Sequence, residues 1–297
     1  MTLAGYKDLE LNDHQAVGAF LQADPPRTSE LTFTNLFMWR HHYRPQWRAE
    51  AGCLLMVLAP QGQAPFGLPP IGPGDKISAA RALCADLQRG GVRPSLQRVG
   101  AELAADLAAA GFKAQEDRDQ SDYVYLAADL ATLPGRRYHR KKNHYNKFAK
   151  NYRFEYRPLE PGLVGRVLEM QESWCALREC HLDQSLASED RAVYEALSHF
   201  GELDYSGGVI LIADKVEAFS LGEPLNPDTA VIHIEKGNPA FDGIYAAINL
   251  LFVAEAWSEM TYINREQDLG VEGLRQAKES YLPARMVAKY VVTPEFI

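Results

Sequence analysis

The chain has 297 residues and a mass of 33.2 kDa, a length typical of two domains or of one large domain. Hydrophobic residues make up 46% and charged residues 24%, which excludes a disordered chain, a collagen-like chain and a disulfide-rich miniprotein. The formal net charge is −8, so the chain as a whole does not belong to the proteins that coat nucleic acid.

The N-terminal residues lack the basic and apolar regions of a signal peptide, and no apolar stretch reaches the roughly 18–20 residues of a membrane-spanning helix. We therefore expect a cytoplasmic protein without a transmembrane segment. The four cysteines show no C-x-x-C spacing, and we expect buried, reduced thiols. Cys175 and Cys180, five residues apart in a helical pattern, should point to different faces. The histidines lack metal-ligand spacing, so we expect no metal.

The first half, to about residue 130, alternates between helical and extended patterns. In chain order it predicts a helix at 12–21, an aromatic helix at 29–43, a hairpin over 47–58, a Pro/Gly-rich loop at 61–74, a helix at 75–89, a strand at 95–99, a helix at 101–110, and strands at 112–116 and 122–126.

The second half begins with a helix at 136–151. Next come a strand at 153–157, helices at 162–178 and 188–200, a hairpin over 208–222, a strand at 230–235, a helix at 245–257, a short strand at 262–264, a helix at 270–280 and a strand at 285–292. These elements indicate a mixed α/β fold with two domains, 1–130 and 131–297. Ligands often bind where a strand is followed by a helix, as at 230–257.

A short cationic segment stands out from the acidic chain. Residues 136–150 (RRYHRKKNHYNKFAK) contain seven basic residues and no acid, and the remaining 24 basic and 39 acidic residues leave a balance of −15. On a helix, one face would carry the polar residues Arg136, Arg140, Asn143, Lys147 and Lys150. The other face would carry Tyr138, Tyr145, Phe148 and Ala149, with Lys141 inside this aromatic arc. The segment is either a solvated helix face or a surface for an anion such as RNA, a phospholipid head group or a nucleotide cofactor; we favour anion binding.

The loop IEKGNPAFDGI (234–244) leads into an apolar helix that should be buried. Asp242 either caps this helix, or backbone N–H groups near Gly243 receive a phosphate or carbonyl oxygen. Both alternatives remain open from the sequence.

The segment YINREQDLGVEGLRQAKESY (262–281) places Lys278 in the middle of an apolar helical arc, with Arg275 at its edge. A buried ammonium needs a partner, and carboxylates are available in Glu235, Glu266 and Asp268. This is either a structural ion pair or a polar site whose lysine and arginine face a substrate carbonyl or phosphate.

Several segments carry a resemblance to a known family: TFTNLFMWR (32–40), GRRYHRKKNHYNKF (135–148), AFSLGE (218–223), HIEKG (233–237) and NREQDLGVEGLRQAKESYLP (264–283). Over nearly the whole chain they resemble the family related to the C-terminal domain of phosphatidylglycerol lysyltransferases, which is similar also to the peptidoglycan-bridge aminoacyltransferases. The resemblance implies two tandem GNAT-type acyltransferase domains, with the chemistry in the second domain.

The implied activity is transfer of an acyl or aminoacyl group from a phosphate-bearing carrier, acyl-CoA or aminoacyl-tRNA, to an amine or hydroxyl of a small molecule or lipid. No covalent enzyme intermediate is required, because holding donor and acceptor together supplies much of the rate. For catalysis we single out Glu235 or Glu266 as base or as the group that orients the amine, and Arg275 and Lys278 as stabilisers of oxyanion charge.

The residues expected to bind the carrier's phosphates are Arg136, Arg140, Lys141, Lys142 and Lys147. Further candidates for contacts with the carrier or substrate are Asn143, Lys236, Asp242, Gly243, Tyr245, Asn264 and Arg265. The alternative is a non-catalytic module that binds RNA or another anionic ligand. The stretch EKGNPAFDGIY (235–245) favours this alternative, because it does not match the GNAT phosphate loop Gln/Arg-x-x-Gly-x-Gly/Ala.

Overall fold

A computed structural model describes residues 3–295 and divides them into two compact units. The first unit comprises residues 3–122, 267–272 and 286–295, and the second comprises residues 123–266 and 273–285. The expected domains 1–130 and 131–297 are both contiguous in sequence. In the structure the chain instead returns to the first unit twice, the second time with its last strand.

The first unit is built around one mixed sheet and an apolar core between this sheet and its helices. Its elements up to residue 116 are β1 (Lys7–Asp8), α1 (His14–Ala23), α2 (Phe33–Met38), α3 (Arg40–Tyr43), β2 (Gln46–Glu50), β3 (Cys53–Leu58), β4 (Phe66–Gly67), α4 (Lys76–Arg89), β5 (Leu96–Gly100), α5 (Ala101–Ala109) and β6 (Phe112–Glu116).

The remaining elements, most of them in the second unit, follow in chain order. They are β7 (Asp122–Leu126), α6 (Ala127–Thr132), α7 (His139–Asn151), β8 (Phe154–Pro158), α8 (Val164–Arg178), α9 (Gln184–Ser198), β9 (Ser206–Ile212), β10 (Lys215–Asn226), β11 (Thr229–Gly237), α10 (Ile244–Ala256), β12 (Tyr262–Asn264), α11 (Glu272–Glu279), β13 (Arg285–Val287) and β14 (Lys289–Pro294). The strand orders of the two sheets are β1-β2-β3-β4-β5-β14-β6 and β13-β7-β12-β11-β10-β9-β8.

The predicted mixed α/β class is confirmed, and local signals explain several element bounds. Helix α4 begins after Asp75, whose side chain accepts hydrogen bonds from the backbone N–H groups of Ile77 and Ser78. The aromatic helix expected at 29–43 starts only at Phe33, because Thr32 caps it, and it is interrupted at Trp39. The last predicted strand is two strands, β13 and β14.

The feature that shapes the second unit is a gap between strands β11 and β12. These two strands pair in parallel only from Thr229↔Tyr262 to Val231↔Asn264, where β12 ends. Strand β11 continues to Gly237, so its residues 232–237 have no strand beside them on that edge within residues 3–295. Side chains and backbone groups of the second half of β11 are therefore available to a ligand or to other elements at this edge.

The expectation of four reduced cysteines is wrong. Cys175 and Cys180 form a disulfide, with Cα atoms 5.1 Å apart, while Cys53 and Cys84 are free and buried. The two residues do not share one helix, because α8 ends at Arg178 and Glu179 takes a left-handed conformation (φ 51°). The chain reverses there and brings Cys180 back beside Cys175.

The apolar arc that we expected on the last helix does not face the core. No residue of α11 is buried, and Leu274 is 44% exposed. The helix is attached through polar contacts at its end: the Tyr125 hydroxyl donates to the Lys278 carbonyl oxygen (2.8 Å), and the Lys278 ammonium donates to the Arg265 carbonyl oxygen. Within residues 271–282 the buried residue is Tyr281, two positions beyond the helix.

Among the helices that the structure describes, none is both long and apolar enough to cross a membrane.

Candidate functional site

Five side chains of the second unit meet at the gap between β11 and β12, and we refer to them as the Glu235 cluster. Each side chain comes from a different part of the chain. Lys141 lies on α7, Glu235 on the unpaired half of β11 and Asn249 on α10, while Arg265 directly follows β12 and Tyr281 follows α11. Only Glu235, Lys141 and Arg265 were candidates from the sequence. Asn249 and Tyr281 were missed, although an asparagine within an otherwise apolar helix was a signal for Asn249.

Both oxygens of the Glu235 carboxylate are engaged. Arg265 Nη2 donates to Oε1 over 2.8 Å, and Asn249 Nδ2 donates to Oε2 over 3.0 Å. The Glu235 and Arg265 side chains are only 12% and 13% exposed, so this ion pair is largely withdrawn from water. A largely buried carboxylate with fixed hydrogen bonds has a defined orientation, which suits a substrate-positioning group.

Two cations approach the buried ring of Tyr281. Lys141 Nζ lies 3.9 Å from the ring centroid, and the Arg265 guanidinium carbon lies 4.8 Å from it. Burial, followed by the positive charges of Arg265 and Arg140, lowers the pKa of Lys141 from 10.5 to about 8. The charge of Glu235 opposes this change without cancelling it. Lys141 is therefore a partly buried ammonium beside two other cations.

Two buried polar atoms of the cluster have no hydrogen-bond partner among the described residues: Arg265 Nη1 and Asn249 Oδ1. One is a donor and the other is an acceptor. Buried polar atoms in proteins are nearly always satisfied, by the protein, by water or by a ligand. The cluster thus offers one unused donor, on the residue that binds Glu235 Oε1, and one unused acceptor, on the residue that binds Glu235 Oε2.

A second buried group lies on β11 two residues before Glu235. His233 Nδ1 is 2.8 Å from Glu266 Oε1, and its Nε2 is 2.9 Å from Glu223 Oε1. Burial alone would lower the pKa of this imidazole, but hydrogen bonds and charges of the two carboxylates outweigh it and raise the pKa to about 9. Glu266, a candidate base, is therefore paired with an imidazolium. His233 was not singled out, although a lone histidine within an apolar strand was a signal.

The basic helix presents its predicted polar face to solvent. Arg136, Arg140, Asn143, Lys147 and Lys150 are all exposed, whereas Tyr138 and Phe148 are buried. Ala149, expected with the aromatic residues, is exposed. The first turn, Arg136–Tyr138, is a 3-10 turn that precedes α7.

The cations of this surface differ in their partners. Arg137 pairs with Asp129 (2.6 Å), Lys147 pairs with Asp242 (2.5 Å), and Lys142 donates to the Thr132 carbonyl oxygen (2.8 Å). Arg136, Arg140 and Lys150 make no hydrogen bond or ion pair within the described part of the chain. We call Arg136, Arg140, Lys142 and Lys150 the cationic strip.

Asp242 does not cap α10, contrary to one of the two expectations. The helix begins after Gly243, which has a left-handed backbone (φ 89°), and no side chain caps it. A Cβ atom on Gly243 would lie 2.3 Å from the His144 carbonyl oxygen of α7. Gly243 therefore permits the close approach of α7 to this loop, and Asp242 reinforces that contact through Lys147.

Lys236 and Tyr245 belong to a different environment from Glu235. Neighbouring residues of a strand point to opposite faces. The Lys236 ammonium lies 2.5 Å from Glu189 and 3.8 Å from the centroid of Trp174, whose indole N–H donates to the Tyr245 hydroxyl (3.2 Å). Trp174 also lines a cavity of about 360 Å³ beside the β9–β10 turn. The structure thus separates these two candidates from the Glu235 cluster.

The other candidates have structural contacts. Asn264 is fully buried and accepts a hydrogen bond from the backbone N–H of Glu266 (2.8 Å). Lys278 holds the Arg265 carbonyl oxygen, and Arg275 lies partly exposed on α11. Within residues 3–295 no group of three or more His, Cys, Asp or Glu side chains is arranged to hold a metal ion.

The first unit contains its own buried charged cluster. Lys289 Nζ lies 2.6 Å from both Glu30 Oε1 and Asp122 Oδ1, and Arg98 lies 3.6 Å from Glu30. Two cations thus face two carboxylates, and the charges balance. This differs from the Glu235 cluster, where two cations share one carboxylate.

Comparison with known proteins agrees with this architecture. A crystal structure of a conserved protein of unknown function from Bacteroides thetaiotaomicron is 34% identical, with a TM-score of 0.92, and the match covers 99% of this chain and 100% of that one. L-PGS from Bacillus licheniformis is 15% identical with a TM-score of 0.67, over 95% of this chain and 92% of that one. A tandem GNAT protein from the clavulanic acid biosynthesis pathway is 12% identical with a TM-score of 0.50, over 96% and 97%.

No curated protein is detectably similar to the chain. Residues 24–293, which make up most of both units, match the family described as phosphatidylglycerol lysyltransferase, C-terminal. The resemblance noted from the sequence is therefore confirmed, and so is the expectation of two tandem GNAT-like domains. The chain belongs to the phosphatidylglycerol lysyltransferase C-terminal domain family.

Proposed function

We propose that this chain transfers an acyl or aminoacyl group from a phosphate-bearing carrier, acyl-CoA or aminoacyl-tRNA, to an amine or hydroxyl acceptor. The family and the GNAT-like fold support a transferase of this kind. The observation that carries the proposal is the gap between β11 and β12, because it brings a fixed carboxylate and two cations to an unpaired strand edge.

In this proposal the cationic strip binds phosphates of the carrier. Its side chains are exposed on a chain whose remaining charge is strongly acidic, so an anion would be attracted to this surface. Lys147 also contributes, since its exposed pair with Asp242 is weak in water and can exchange partners. Lys141, on the same helix, links the strip to the Glu235 cluster.

Of the two acids considered for the attacking amine, we assign the role to Glu235. Glu266 is occupied by His233, whereas Glu235 lies among the cations at the strand gap. Each carboxylate oxygen has a second lone pair, so Glu235 can accept from an amine while it keeps its bonds to Arg265 and Asn249.

Two further residues complete the proposed site. Lys278 acts as a positioning residue for the Arg265 backbone, which its ammonium holds. Arg275 is proposed to stabilise negative charge that develops on the carbonyl oxygen during transfer. Proximity of donor and acceptor supplies the remaining acceleration, and no covalent intermediate on the protein is needed.

Carrier binding is tested by fluorescence anisotropy with labelled tRNA and with a CoA analogue between 50 and 200 mM salt. We expect affinity to fall steeply with salt, and the variant Arg140→Glu/Lys142→Glu to weaken binding by about tenfold or more. The matched control Lys113→Glu/Arg191→Glu makes the same change in net charge at exposed positions on β6 and α9. Binding that ignores salt, or that falls equally in both variants, would contradict the carrier role.

Transfer itself is tested by incubating the protein with acyl-CoA or aminoacyl-tRNA and a mixture of amines, followed by mass spectrometry of the products. Glu235→Gln should reduce product formation without weakening tRNA or CoA binding. The alternative function is a non-catalytic module, favoured by the absence of the GNAT glycine pattern at 235–245. It would be supported by carrier binding through the strip without product from any donor.

A further inference from the structure

We propose that the Glu235 cluster binds a carboxylate of the substrate, with Arg265 Nη1 and Lys141 Nζ as its donors. This inference rests on the proposed transferase function, because it names the chemical class that the same site would accept. The substrate would carry one carboxylate and, close to it, one N–H or O–H donor.

The first argument is the local charge. Lys141 and Arg265 both approach the Tyr281 ring, and the nearest carboxylate to both is Glu235. Glu235 is in direct contact with Arg265, and the other acid at this strand end, Glu266, shares the His233 imidazolium with Glu223. Within the five side chains of the cluster, two cations thus face one carboxylate. A ligand carboxylate would give these two cations a second partner, and burial makes such pairing strong.

The second argument is the unused hydrogen-bonding capacity. Arg265 uses Nη2 for Glu235, while the buried Nη1 has no partner among the described residues. A guanidinium has donors on two edges and can bind two carboxylates at once. On the other side of Glu235, the buried Asn249 Oδ1 has no donor to accept from. A ligand with a carboxylate and a neighbouring N–H or O–H group would satisfy both atoms.

A carboxylate fits this site better than a phosphate. A phosphate monoester brings close to two negative charges, and one of them would face the Glu235 carboxylate without a cation of its own. A carboxylate is planar, carries one charge, and matches one free edge of a guanidinium beside an ammonium. The phosphates of the carrier are left to the exposed cationic strip.

The buried charged cluster of the first unit offers a comparison, because it also holds two cations. There the buried cations Arg98 and Lys289 already have the two carboxylates of Glu30 and Asp122. Arg98 also stacks on a tyrosine, Tyr43, as Arg265 does on Tyr281. The Glu235 cluster also has two cations and a tyrosine ring but only one carboxylate, which leaves room for a carboxylate from a ligand.

The carboxylate has two sources in an acyl transfer: an acceptor such as an amino acid, or a transferred group derived from a dicarboxylic acid. Binding is measured without any donor, by calorimetry at pH 7, with two pairs of probes. L-alanine and L-alaninamide represent the acceptor, and glutaramate (the monoamide of glutaric acid) and glutaramide represent the acyl group. We expect the acid of one pair to bind at least about tenfold more tightly than its amide, and that pair identifies the source.

Lys141→Met should weaken binding of that acid by about tenfold, since it removes one charged donor. Lys113→Met is the matched control, because Lys113 is an exposed lysine on β6 and belongs to neither the cluster nor the cationic strip. Should Lys141→Met fail to fold, protection of Lys141 from amine-reactive labelling in the wild-type protein gives the same information. A bound carboxylate should slow labelling of Lys141 while leaving the labelling of Lys113 unchanged.

The proposal is overturned if acid and amide bind alike, if Lys113→Met has the same effect as Lys141→Met, or if neither acid binds more tightly than about 10 mM. These results are independent of the transferase function. A protein that binds the acid but yields no product from any donor would retain the carboxylate site and refute the proposed activity. A protein that transfers groups without binding either acid would retain the proposed activity and refute the carboxylate site.

Discussion

His233 Nδ1 lies 2.8 Å from Glu266 Oε1 inside the second unit, and the 1% exposure of the histidine side chain makes this a buried ion pair at neutral pH. The pair fixes the residue that follows Arg265, and Glu266 holds a left-handed backbone there (φ 59°). The position of Arg265 at the strand gap thus depends on a protonated imidazole on the neighbouring strand.

A pH dependence of stability follows from this pair. The pKa of His233 rises from 6.5 in the unfolded chain to about 9 in the fold, because the two carboxylates outweigh the effect of burial. Its stabilisation is fully present below about pH 6.5 and is lost as the pH rises through about 9, by about 3 kcal/mol in total. Urea unfolding of the wild type and His233→Gln at pH 6 and pH 9.5 measures this. A difference between the two proteins that stays constant over this range would contradict the assignment.

Removing the Glu235 carboxylate should destabilise the protein. Glu235→Gln leaves the Arg265 guanidinium largely buried without its counter-charge, and we expect a loss of about 2–4 kcal/mol in the free energy of unfolding. Glu259→Gln, at an exposed position, is the control and should change stability by less than about 0.5 kcal/mol. Equal effects in the two variants would mean that the Glu235–Arg265 pair is not formed.

Lys141 should be the most nucleophilic lysine of the chain near pH 8. With a pKa of about 8, the Lys141 amine is uncharged in half of the molecules at that pH, compared with less than about 1% for a lysine at the usual pKa. Brief labelling with an amine-reactive reagent and peptide mass spectrometry should therefore find Lys141 modified ahead of the exposed Lys142 and Lys150, although its partial burial slows the reagent. Labelling that follows exposure alone would speak against the lowered pKa.

The loop before α10 should be intolerant of a side chain at its glycine. Gly243→Ala would place a Cβ atom 2.3 Å from the His144 carbonyl oxygen and would strain a left-handed backbone, and we expect a loss of about 1–3 kcal/mol. Gly165→Ala is the contrasting variant, because Gly165 lies in α8 with open space around its Cβ position. That change should stabilise the protein by about 0.5–1 kcal/mol. Chemical denaturation of both variants checks these opposite signs.

The cysteines give a count that is simple to measure. Without reductant, alkylation of the unfolded protein should modify two cysteines, Cys53 and Cys84, and reduction should increase the number to four. The peptide containing Cys175 and Cys180 should be the one that changes in mass. Four modified cysteines in the unreduced protein would show that this pair is in the thiol form.

Much of the fold could be predicted because its signals are local. The helix after Asp75 has its cap and its terminating glycines within the sequence, and the Gln46–Leu58 hairpin has two short strands around the Ala51-Gly52 turn. The gap at β11 is different, because it depends on where β12 ends relative to its partner. No periodicity within Ala230–Gly237 reveals that its neighbour stops at Asn264.

The site was predictable only in part for the same reason. Charge clustering identified the basic helix, and the position of Lys141 within an aromatic arc indicated that this lysine turns inward. The arrangement around Glu235 depends on Asn249 and Tyr281, which meet it only through tertiary packing. For Lys278 the sequence pattern was misleading. Its position in an apolar arc suggested burial, but the side chains of that arc are exposed, so α11 faces solvent.

Strand β14 lies between β5 and β6 in the sheet of the first unit, although its residues follow the whole second unit along the chain. During synthesis, the first unit is therefore unable to close its sheet until Lys289–Pro294 have emerged from the ribosome, long after β5 and β6 are available. The second unit has nearly all of its strands by then. The first unit is thus synthesised first but completes its sheet last. A ribosome that stalls before residue 289 would leave β5 and β6 without the strand that lies between them.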